Sequence, residues 1–303
     1  MSSRIAVGAG RKQVWPSNPY TPSLGTLGKF VGREEEMKLI TAAWIAGEGS
    51  LPLSPLLVGE PGVGKNRLVY ELAHRTGRDL YIFQGHEDVT AEDLACSVRF
   101  SDDNSKTMDY VASPLVTAMH QGGICFIDEI GKIRPRALAL LVSVLDERRY
   151  IDSTLLGERV IGHPGFRFVA ATNTGEISSL PEFIRSRLRP IIKVGYPRKE
   201  EINHIIERQF PRRQEQLGSL LDTFWELWDR HGENGRSPSP RDAIHLFALA
   251  SSLSDFEHLG GDTQLGLAGE AKPFPLEAGA GEFAVTPKHI EQAFEELFAQ
   301  QVD

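Results

Sequence analysis

The sequence predicts an α/β fold in which a parallel sheet is sandwiched by helices and is followed by a smaller, all-α domain. Apolar strand patterns alternate with amphipathic helix patterns between Phe30 and Val194, which is typical of a parallel sheet. A glycine-rich run at residues 59–64 joins one strand pattern to a helix pattern, as in many folds of this class. Helix patterns without strands follow at Glu200–Gln209 and Leu217–Arg230.

These patterns divide the chain into three predicted parts. Residues 1–29 contain several prolines and glycines, which predicts an irregular amino-terminal arm. Residues 30–196 form the predicted α/β domain, and residues 197–303 form the predicted helical domain. Within the helical domain, residues 258–284 are rich in glycine and lack helical periodicity, which predicts a long loop. Thr286 then caps a predicted last helix.

The composition indicates an intracellular globular protein. The formal net charge of −8 argues against general affinity for nucleic acid, because binding to the phosphate backbone needs a dense positive surface. The two cysteines, Cys96 and Cys125, form neither a disulfide framework nor a metal-ligand pattern. No apolar run reaches the roughly 18 residues of a membrane span, and the amino end lacks the apolar core of a signal peptide. We therefore expect a cytoplasmic protein without a transmembrane segment.

The most informative stretch follows the apolar strand pattern that ends at Val58. A glycine-rich turn between a strand and a helix start is the context in which a G-x-x-x-x-G-K loop cradles nucleotide phosphates. Its glycines permit positive φ angles and aim N–H groups at phosphate oxygens, while Lys65 can reach the β- and γ-phosphates. The candidate nucleotide-binding residues here are Gly59, Glu60, Pro61, Gly62, Val63, Gly64, Lys65, Asn66 and Arg67.

Polar residues also end two later apolar strand patterns. Asp128 and Glu129 end the first, and Asn173 ends the second. In a phosphate-binding site, Asp128 is the candidate Mg²⁺ ligand and Glu129 orients and polarises the attacking water. Because ligands collect at the carboxyl ends of parallel strands, we expect these residues to converge with Lys65 on one nucleotide. The alternative for Asn173 is a loop-initiating residue without chemistry.

These residues carry a resemblance to a known family. From about Phe30 to Pro197 the chain resembles AAA+ ATPases, and within them the MoxR-type branch related to dynein-like and rubisco-activase-like motors. The resemblance implies a P-loop NTPase sheet, a helical lid domain, and ATP and Mg²⁺ as cofactors. It also implies that the segment containing Val31 and Gly32 packs near the adenine base.

The segment 180–188 is similar to the family's segment that carries the arginine finger. By that match Arg187 is the first choice for the finger and Arg185 is the second. An arginine finger stabilises charge on the transferring phosphoryl group and normally acts across a subunit boundary. The resemblance therefore implies a homo-oligomeric ring, expected to be a hexamer. The alternative is a solvated basic helix end.

Arg241 resembles the sensor-2 arginine that contacts the γ-phosphate in this family. It follows Ser239 and Pro240, which predict the cap and an early position of a helix that runs through Leu249. Arginine opposes the helix dipole at this position, which favours a reason for its presence other than helix stability. The alternative is an ordinary surface charge.

Two loops are candidates for contact with a partner. In the resemblance, residues 86–114 are where the branch carries an insert that faces the ring pore. Residues 148–164 have a hairpin pattern around Gly157 that is similar to the family's hairpin before sensor 1. Loops on a rigid scaffold often carry function, and plain surface loops are the alternative.

Asn66 departs from the family pattern, which has Ser or Thr at this position to ligate Mg²⁺ through a hydroxyl. An amide oxygen can coordinate Mg²⁺, but the amide is bulkier, and Mg²⁺ demands near-ideal octahedral geometry at ~2.0–2.1 Å. Weaker placement of the metal lowers hydrolysis more than nucleotide binding. The sequence therefore predicts a functional ATPase, with a nucleotide-binding ring scaffold of weak or absent hydrolysis as the alternative.

The resemblance also implies what the motor acts on. MoxR-type motors remodel or activate a client or adaptor protein, often one with a von Willebrand A-type domain, and we expect such a partner. A DNA-directed AAA+ motor is a further alternative, because fold does not fix function. The acidic charge balance and the lack of an appended helix-turn-helix pattern argue against it.

Overall fold

The computed structural model of the protein describes residues 3–21, 30–45, 50–100, 108–211, 217–231, 237–258 and 284–298. The chain separates into two compact units. The first unit comprises Met1–Pro22 and Arg33–Gly195, and the second comprises Ser23–Gly32 and Tyr196–Asp303.

The first unit contains the strands and the second is helical. The strands are β1 (Ile5–Val7), β2 (Lys12–Val14), β3 (Ser54–Val58), β4 (Leu80–Gln84), β5 (Cys96–Phe100), β6 (Met108–Ala112), β7 (Ile124–Asp128), β8 (Tyr150–Ser153), β9 (Glu158–Ile161), β10 (Arg167–Thr172) and β11 (Leu188–Lys193). The helices are α1 (Glu34–Trp44), α2 (Lys65–Thr76), α3 (Pro114–Gln121), α4 (Pro135–Leu138), α5 (Val142–Leu145), α6 (Glu182–Arg185), α7 (Lys199–Gln209), α8 (Leu217–His231), α9 (Pro240–His258) and α10 (Pro287–Phe298). Short 3₁₀ helices cover Ile130–Lys132, Ala139–Leu141 and Thr174–Ser179.

A five-stranded parallel sheet forms the centre of the first unit, in the order β11-β3-β10-β7-β4. Every residue of β3 and β7 is buried, as expected for parallel strands flanked by helices. The predicted fold class is thus confirmed. Because the strands run in the same direction, the carboxyl ends of β3, β4, β7 and β10 lie along one edge of the sheet, which we call the carboxyl edge. The register there pairs Gln84 with Asp128.

Local sequence explains where the helices of the first unit begin. Gly64, with φ 100°, directly precedes α2, so the chain turns from the loop into the helix in a conformation that favours glycine. Ser113 precedes α3, and its Oγ accepts a hydrogen bond from Val116 N at 3.1 Å. Pro114 occupies the first helical position, where a missing N–H has no cost.

The amino-terminal arm differs from its prediction. We predicted an irregular arm over residues 1–29, but β1 and β2 form an antiparallel hairpin with Ile5 opposite Val14. Val7 and Val14 are fully buried in the main core cluster of the first unit. The prediction failed because three-residue strands are too short for a visible alternation, and the apolar partners that bury them lie far away in sequence.

Two further hairpins belong to the first unit. The hairpin predicted within residues 148–164 is confirmed, since β8 and β9 pair antiparallel with Tyr150 opposite Ile161. The segment 86–114 contains a second antiparallel pair, β5 and β6, in which Cys96 lies opposite Ala112.

The second unit is built from α7, α8, α9 and α10 around its own core cluster. Trp225 is buried in that core and Trp228 packs against it, as the helix pattern predicted. Ser239 caps α9, since its Oγ accepts a hydrogen bond from Asp242 N at 3.2 Å. The predicted end of this helix at Leu249 is wrong, because the buried face continues through Ala250 and the helix reaches His258.

The glycine-rich loop predicted for residues 258–284 lies, apart from its two end residues, outside the described residues. Helix α10 begins at Pro287, where the sequence predicted it. Among the described helices, none combines the length and apolar character that crossing a bilayer requires.

Candidate active site

The phosphate-loop candidate lies at the carboxyl edge, between the end of β3 and the start of α2. Val63 is buried, whereas Pro61 is exposed and Glu60 is partly exposed at the tip of the turn. The loop also contains Gly59, Gly62 and Gly64, and it continues directly into the amino end of α2. Such a helix start carries partial positive charge and attracts anions.

Lys65 is the first residue of α2 and its ammonium group is held within this loop. Nζ donates to the carbonyl oxygens of Gly59 at 2.6 Å and Glu60 at 3.1 Å, and to Oδ1 of Asn173 at 3.1 Å. These acceptors match the three donors of an ammonium group. The structure thus brings Lys65 and Asn173 together, as the sequence predicted. A phosphate that approaches Nζ replaces at least one of these acceptors.

The electrostatic environment of Lys65 is that of a buried cation beside acids. Burial lowers the pKa of its ammonium group, and the carboxylates of Asp128, Glu60 and Glu129 oppose that shift. Lys65 as a whole residue is 7% exposed. An anionic ligand at this position adds negative charge beside a cation that has lost part of its hydration, which favours binding.

Asn66 contacts the candidate metal ligand directly. Its Nδ2 donates to Oδ2 of Asp128 at 2.5 Å. In its ionised form a carboxylate only accepts hydrogen bonds, so the amide nitrogen faces Asp128 and the amide oxygen remains for another partner. The structure therefore places the two residues predicted as metal ligands, Asn66 and Asp128, side by side.

Asp128 ends β7 and is buried. Burial raises the pKa of its carboxyl group, and the hydrogen bonds from Asn66 and from the backbone N–H of Glu129 counteract this. The backbone bond joins Glu129 N to Oδ1 at 2.9 Å. Both carboxylate oxygens thus accept a hydrogen bond, which holds the group in one orientation.

Glu129 follows β7 in the left-handed region, with φ 52°. Its Oε2 accepts a hydrogen bond from Gln84 Nε2 at 2.9 Å and lies 2.9 Å from Nζ of Lys132. Gln84 and Lys132 were missed from the sequence. Gln84 had a signal, because it is the polar residue that ends β4, the strand paired with β7. Lys132 had none beyond its spacing of three residues from Glu129.

Arg33 is a further residue that the sequence did not single out. Its Nη2 donates to the carbonyl oxygens of Val63 at 3.1 Å and Gly195 at 2.6 Å. Its Nη1 forms an ion pair with Glu36 at 3.1 Å. Arg33 therefore links Val63 of the phosphate loop to Gly195 through hydrogen bonds.

Tyr70 lies one turn after Asn66 on α2, and the sequence did not point to it either. Its ring packs on that of Tyr20 with 5.0 Å between the centroids. Burial is the main cause that raises the pKa of Tyr70 to about 12, so its hydroxyl is protonated at neutral pH. The neighbouring Arg67, a predicted site residue, is partly buried, and burial lowers the pKa of its guanidinium.

Neither arginine-finger candidate joins the nucleotide-binding residues of its own chain. Arg187 Nη1 donates to the carbonyl oxygen of Phe183 at 2.7 Å, and its Nε lies 3.9 Å from Asp146 Oδ2. Arg185 is paired with Glu182, three residues earlier on α6. In the described part of the chain, neither guanidinium is hydrogen-bonded to or ion-paired with Asp128, Glu129 or Asn173. Their roles stay predictions.

The remaining predicted residues belong to the second unit. Val31 and Gly32 precede α1, and Gly32 has φ 71°. Arg241 is the second residue of α9 and is exposed. The nucleotide roles predicted for these residues stay predictions.

The donor set fits Mg²⁺ better than a transition metal. In the described part of the chain, no group of three or more His, Cys, Asp and Glu residues is arranged to hold a metal ion. Mg²⁺ needs no such cage, since it is usually bound by one or two protein ligands together with substrate phosphates and water. Asp128 and the amide oxygen of Asn66 supply ligands of this kind.

The sequence is similar to a described protein family and to individual proteins. Residues 54–188 match the family model described as AAA domain (dynein-related subfamily). An uncharacterised protein of Staphylococcus saprophyticus is 32% identical over 158 residues, which are 51% of this chain and 60% of that protein. Protein NorQ of Paracoccus denitrificans is 35% identical over 130 residues, 43% of this chain and 46% of NorQ. The chain thus spans about half to three fifths of the length of these relatives.

Solved structures show the same fold at low sequence identity. The FIGL-1 AAA domain in complex with ADP has a TM-score of 0.54 and 18% identity, and the match covers 92% of this chain and 86% of that one. A point mutant of RuvB from Thermotoga maritima has a TM-score of 0.53 and 19% identity, covering 88% of this chain and 70% of that one. At these identities the likeness supports the fold.

Proposed function

Because the chain belongs to the AAA+ ATPases and carries a AAA domain of the dynein-related subfamily, we propose that it binds ATP and hydrolyses it at the interfaces of a ring. The observation that carries this proposal is the convergence at the carboxyl edge. Lys65 contacts Asn173, which follows β10, and the next residue, Asn66, contacts Asp128 at the end of β7, where Glu129 follows.

The residues divide the work of phosphoryl transfer between them. On binding, the phosphates take the place of main-chain acceptors on Lys65 and accept from the loop N–H groups. Asp128 and the Asn66 amide oxygen would hold a Mg²⁺ ion, and that ion would supply positive charge against the charge that develops on the phosphate oxygens. Asn173 orients the attacking water, and Glu129 polarises it once its carboxylate turns from Gln84 and Lys132 to that water.

The remaining parts of the proposal rest on the resemblance. Arg187 of one subunit reaches the nucleotide of its neighbour. Arg241 of the helical unit senses the γ-phosphate and couples hydrolysis to motion of that unit. The ring uses this motion to remodel or activate a partner protein, for which a von Willebrand A-type adaptor is the leading candidate.

A second function is favoured by one specific contact. Asn66 Nδ2 donates to Oδ2 of Asp128 at 2.5 Å. Asn66 stands at the position of one metal ligand, and its hydrogen bond engages one carboxylate oxygen of the other. This arrangement supports a nucleotide-gated ring scaffold that turns over slowly. The two functions differ in the turnover rate and share the same nucleotide site.

Steady-state ATPase activity across a protein concentration series tests the proposal. Activity per subunit that rises with concentration supports a site shared between subunits. Glu129→Gln and Arg187→Ala are each expected to abolish turnover. When the two variants are mixed in equal amounts, random assembly gives about one quarter of the sites a wild-type Glu129 together with a neighbouring wild-type Arg187. Recovery of about that fraction of activity is the expected result.

Arg185→Ala is the matched control for the arginine finger. It removes the same chemical group two residues away, from a side chain that is already paired with Glu182. Retained activity in Arg185→Ala and loss in Arg187→Ala supports the assignment, and the reverse pattern transfers the role to Arg185. If the wild type binds ATP but does not hydrolyse it at any protein concentration, the proposed ATPase activity is contradicted. In that case, activity gained by Asn66→Thr supports the scaffold.

A further inference from the structure

Two side chains hold Glu129 through a single oxygen atom. Its Oε2 accepts a hydrogen bond from Gln84 Nε2 and lies 2.9 Å from Nζ of Lys132. If Glu129 turns to polarise a water, Gln84 loses a neutral hydrogen bond, whereas the ammonium group of Lys132 loses its carboxylate. A charge-assisted hydrogen bond is stronger than a neutral one, so the second loss is the larger. The turn of Glu129 is therefore easier if another carboxylate lies within reach of Lys132.

Glu176 supplies a carboxylate at this place. It belongs to the 3₁₀ helix Thr174–Ser179, which packs against the 3₁₀ helix Ile130–Lys132. The two helices meet at Gly131, where an added Cβ would lie 3.0 Å from Cβ of Glu176. The Cα atoms of consecutive residues are about 3.8 Å apart, and both Glu and Lys have long side chains. The carboxylate of Glu176 is consequently within reach of the ammonium group of Lys132.

Glu176 also has an oxygen that lacks a donor. Within the described residues, its buried Oε2 has no hydrogen-bond partner, and the same is true of the buried Oγ1 of Thr172, which lies 2.5 Å from an added Cβ at Gly131. Buried oxygens without a donor are unfavourable, and an ammonium group has three donors to offer. The pKa of Lys132 is raised chiefly by its hydrogen bond to Glu129, and the negative charge of Glu176 adds to this shift.

We propose that Glu176 is a positioning residue that takes over the ammonium group of Lys132 when Glu129 turns to the attacking water. The exchange replaces one partly exposed ion pair with another. Such a pair changes an equilibrium constant by at most about fivefold, so a bound nucleotide can shift Lys132 from one carboxylate to the other. The inference rests on the proposed function, because it takes Glu129 as the residue that faces the water.

Steady-state kinetics of Glu176→Gln test the exchange, because this substitution keeps the shape of the side chain and removes its charge. Lys132 then stays on Glu129, so kcat should fall about 2- to 5-fold. ATP affinity should not fall, since the variant removes a negative charge that acts on Lys65. A kcat equal to that of the wild type overturns the inference.

Two further variants separate this role from a general effect of charge. Glu35→Gln is the matched control, because Glu35 pairs with Lys38 at the same spacing of three residues and both side chains are exposed. It should leave kcat unchanged. In a Lys132→Met background, Glu176→Gln should not lower kcat further, because no ammonium group competes for Glu129. An equal fall in both backgrounds shows that Glu176 acts without Lys132 and overturns the inference.

A crystal structure of the wild type with Mg²⁺ and AMP-PNP, an ATP analogue that resists hydrolysis, tests the exchange without turnover and without a variant. We expect Nζ of Lys132 within hydrogen-bond distance of the Glu176 carboxylate, with Glu129 turned toward the nucleotide. Lys132 still paired with Glu129 overturns the inference. If Lys132 has moved but the wild type does not hydrolyse ATP, the proposed ATPase activity is contradicted and this inference stands. If the wild type binds no nucleotide, both are contradicted.

Discussion

The nucleotide site and the three hairpins of the first unit are assembled in different ways. The site is built from residues that follow strand ends, and Gly59–Asn66 is continuous in sequence. The hairpins β1–β2, β5–β6 and β8–β9, which we call the hairpin cluster, are joined by contacts between distant residues. Arg4 pairs with Asp109 across 105 positions at 2.7 Å, and Gly10 N donates to Glu158 across 148 positions.

Trp15 is the main link in the hairpin cluster. Its backbone N–H donates to the carbonyl of Tyr110, and its carbonyl accepts from Ala112 N, both at 2.8 Å, so it adds a short strand pairing beside β6. Its indole Nε1 donates to Asp109 at 3.0 Å. The guanidinium of Arg4 lies over the same indole ring.

This comparison shows that the nucleotide site depends on residues close together in the sequence, whereas the hairpin cluster depends on residues far apart. The chemistry of the nucleotide site depends on residue types at fixed short spacing, and a motif records it. The hairpin cluster depends on complementarity between segments that meet only after folding. The amino-terminal segment contacts both regions, because Trp15 joins the cluster and Tyr20 packs on Tyr70 of α2.

The largest effect is expected from Lys65→Met, which removes the cation from the nucleotide site and keeps an aliphatic side chain. Loss of one partner of a buried, hydrogen-bonded charge pair costs about 2–5 kcal/mol, so ATP affinity should fall by roughly 30-fold to several thousand-fold. Thermal stability without nucleotide should change little, because relief from burying the ammonium group is offset by the donor that Gly59, Glu60 and Asn173 lose. Isothermal titration with ATP and a thermal melt measure the two effects.

Lys38→Met is the matched control for this prediction. Lys38 is an exposed lysine of α1, 3.9 Å from Glu35, and should contribute nothing to ATP affinity. Equal ATP affinity in wild type and Lys65→Met would contradict the placement of the nucleotide site at the phosphate loop.

The second effect belongs to the hairpin cluster. Asp109→Asn keeps the shape but replaces one acceptor oxygen with a donor, and both partners, Arg4 and Trp15, are donors. Since hydrogen bonds to charged groups are worth about 1.5–3 kcal/mol, the free energy of unfolding should fall by that amount. ATP affinity should be unchanged. Chemical denaturation and ATP titration of the same variant check both expectations.

Asp88→Asn is the control for the cluster variant. Asp88 is 81% exposed and lies 3.7 Å from Arg134, so its loss should change stability by less than about 0.5 kcal/mol. If Asp109→Asn is no less stable than Asp88→Asn, the amino-terminal hairpin is not held by this network.

Sequence reasoning predicted the parts of the molecule whose signals are local. The parallel sheet, the phosphate loop and the strand-end acids follow from periodicity and turn chemistry over a few residues. The proximity of Lys65 to Asn173 also followed, because parallel strands end at one edge. The capping of α9 by Ser239 is a local signal of the same kind.

The parts that escaped prediction depend on pairs brought together by the fold. Gln84 meets Glu129 only because β4 pairs with β7, and strand order cannot be read from strand patterns alone. Tyr20 meets Tyr70 because the amino-terminal segment, which was predicted to be irregular, packs on other parts of the first unit. The hairpin β1–β2 was missed for the same reason, since its partners lie in other hairpins.

The third effect tests how tightly the backbone is packed behind Glu129. A Cβ at Gly85 would lie 2.5 Å from the carbonyl oxygen of Glu129 and 2.9 Å from that of Asp128. Gly85→Ala must therefore shift the strand ends, at a cost of about 1–3 kcal/mol in stability. The displaced Glu129 should lower ATP turnover more than ATP affinity, which steady-state kinetics and titration distinguish.

Gly175→Ala is the control, because none of the described residues has an atom within 4 Å of a Cβ at Gly175. It should leave turnover and stability close to the wild-type values. Normal turnover in Gly85→Ala would show that Glu129 tolerates movement of its backbone and would weaken the proposed water-polarising role.

The smallest effect is expected in the pH dependence of stability, where two carboxyl groups have pKa shifts of opposite sign. Burial raises the pKa of Asp128 in the nucleotide site, whereas a hydrogen bond from Arg148 lowers the pKa of Asp146, just before the hairpin β8–β9. The charged form of Asp128 therefore costs stability above its folded-state pKa, and this cost vanishes below the unfolded value of about 3.9. Asp146 contributes stability above the unfolded value, and that contribution is lost as pH falls through its lower folded-state pKa.

In protein free of nucleotide and metal, Asp128→Asn should consequently raise the melting temperature at pH 7, and the gain should shrink as pH approaches 4. Asp146→Asn should lower the melting temperature at pH 7, and its deficit should shrink only at lower pH. Melting curves of both variants and the wild type at each pH measure these differences. A lower melting temperature for Asp128→Asn at pH 7 would mean that the hydrogen bonds from Asn66 and Glu129 outweigh burial. The site would then be preorganised for its ligand at no cost in stability.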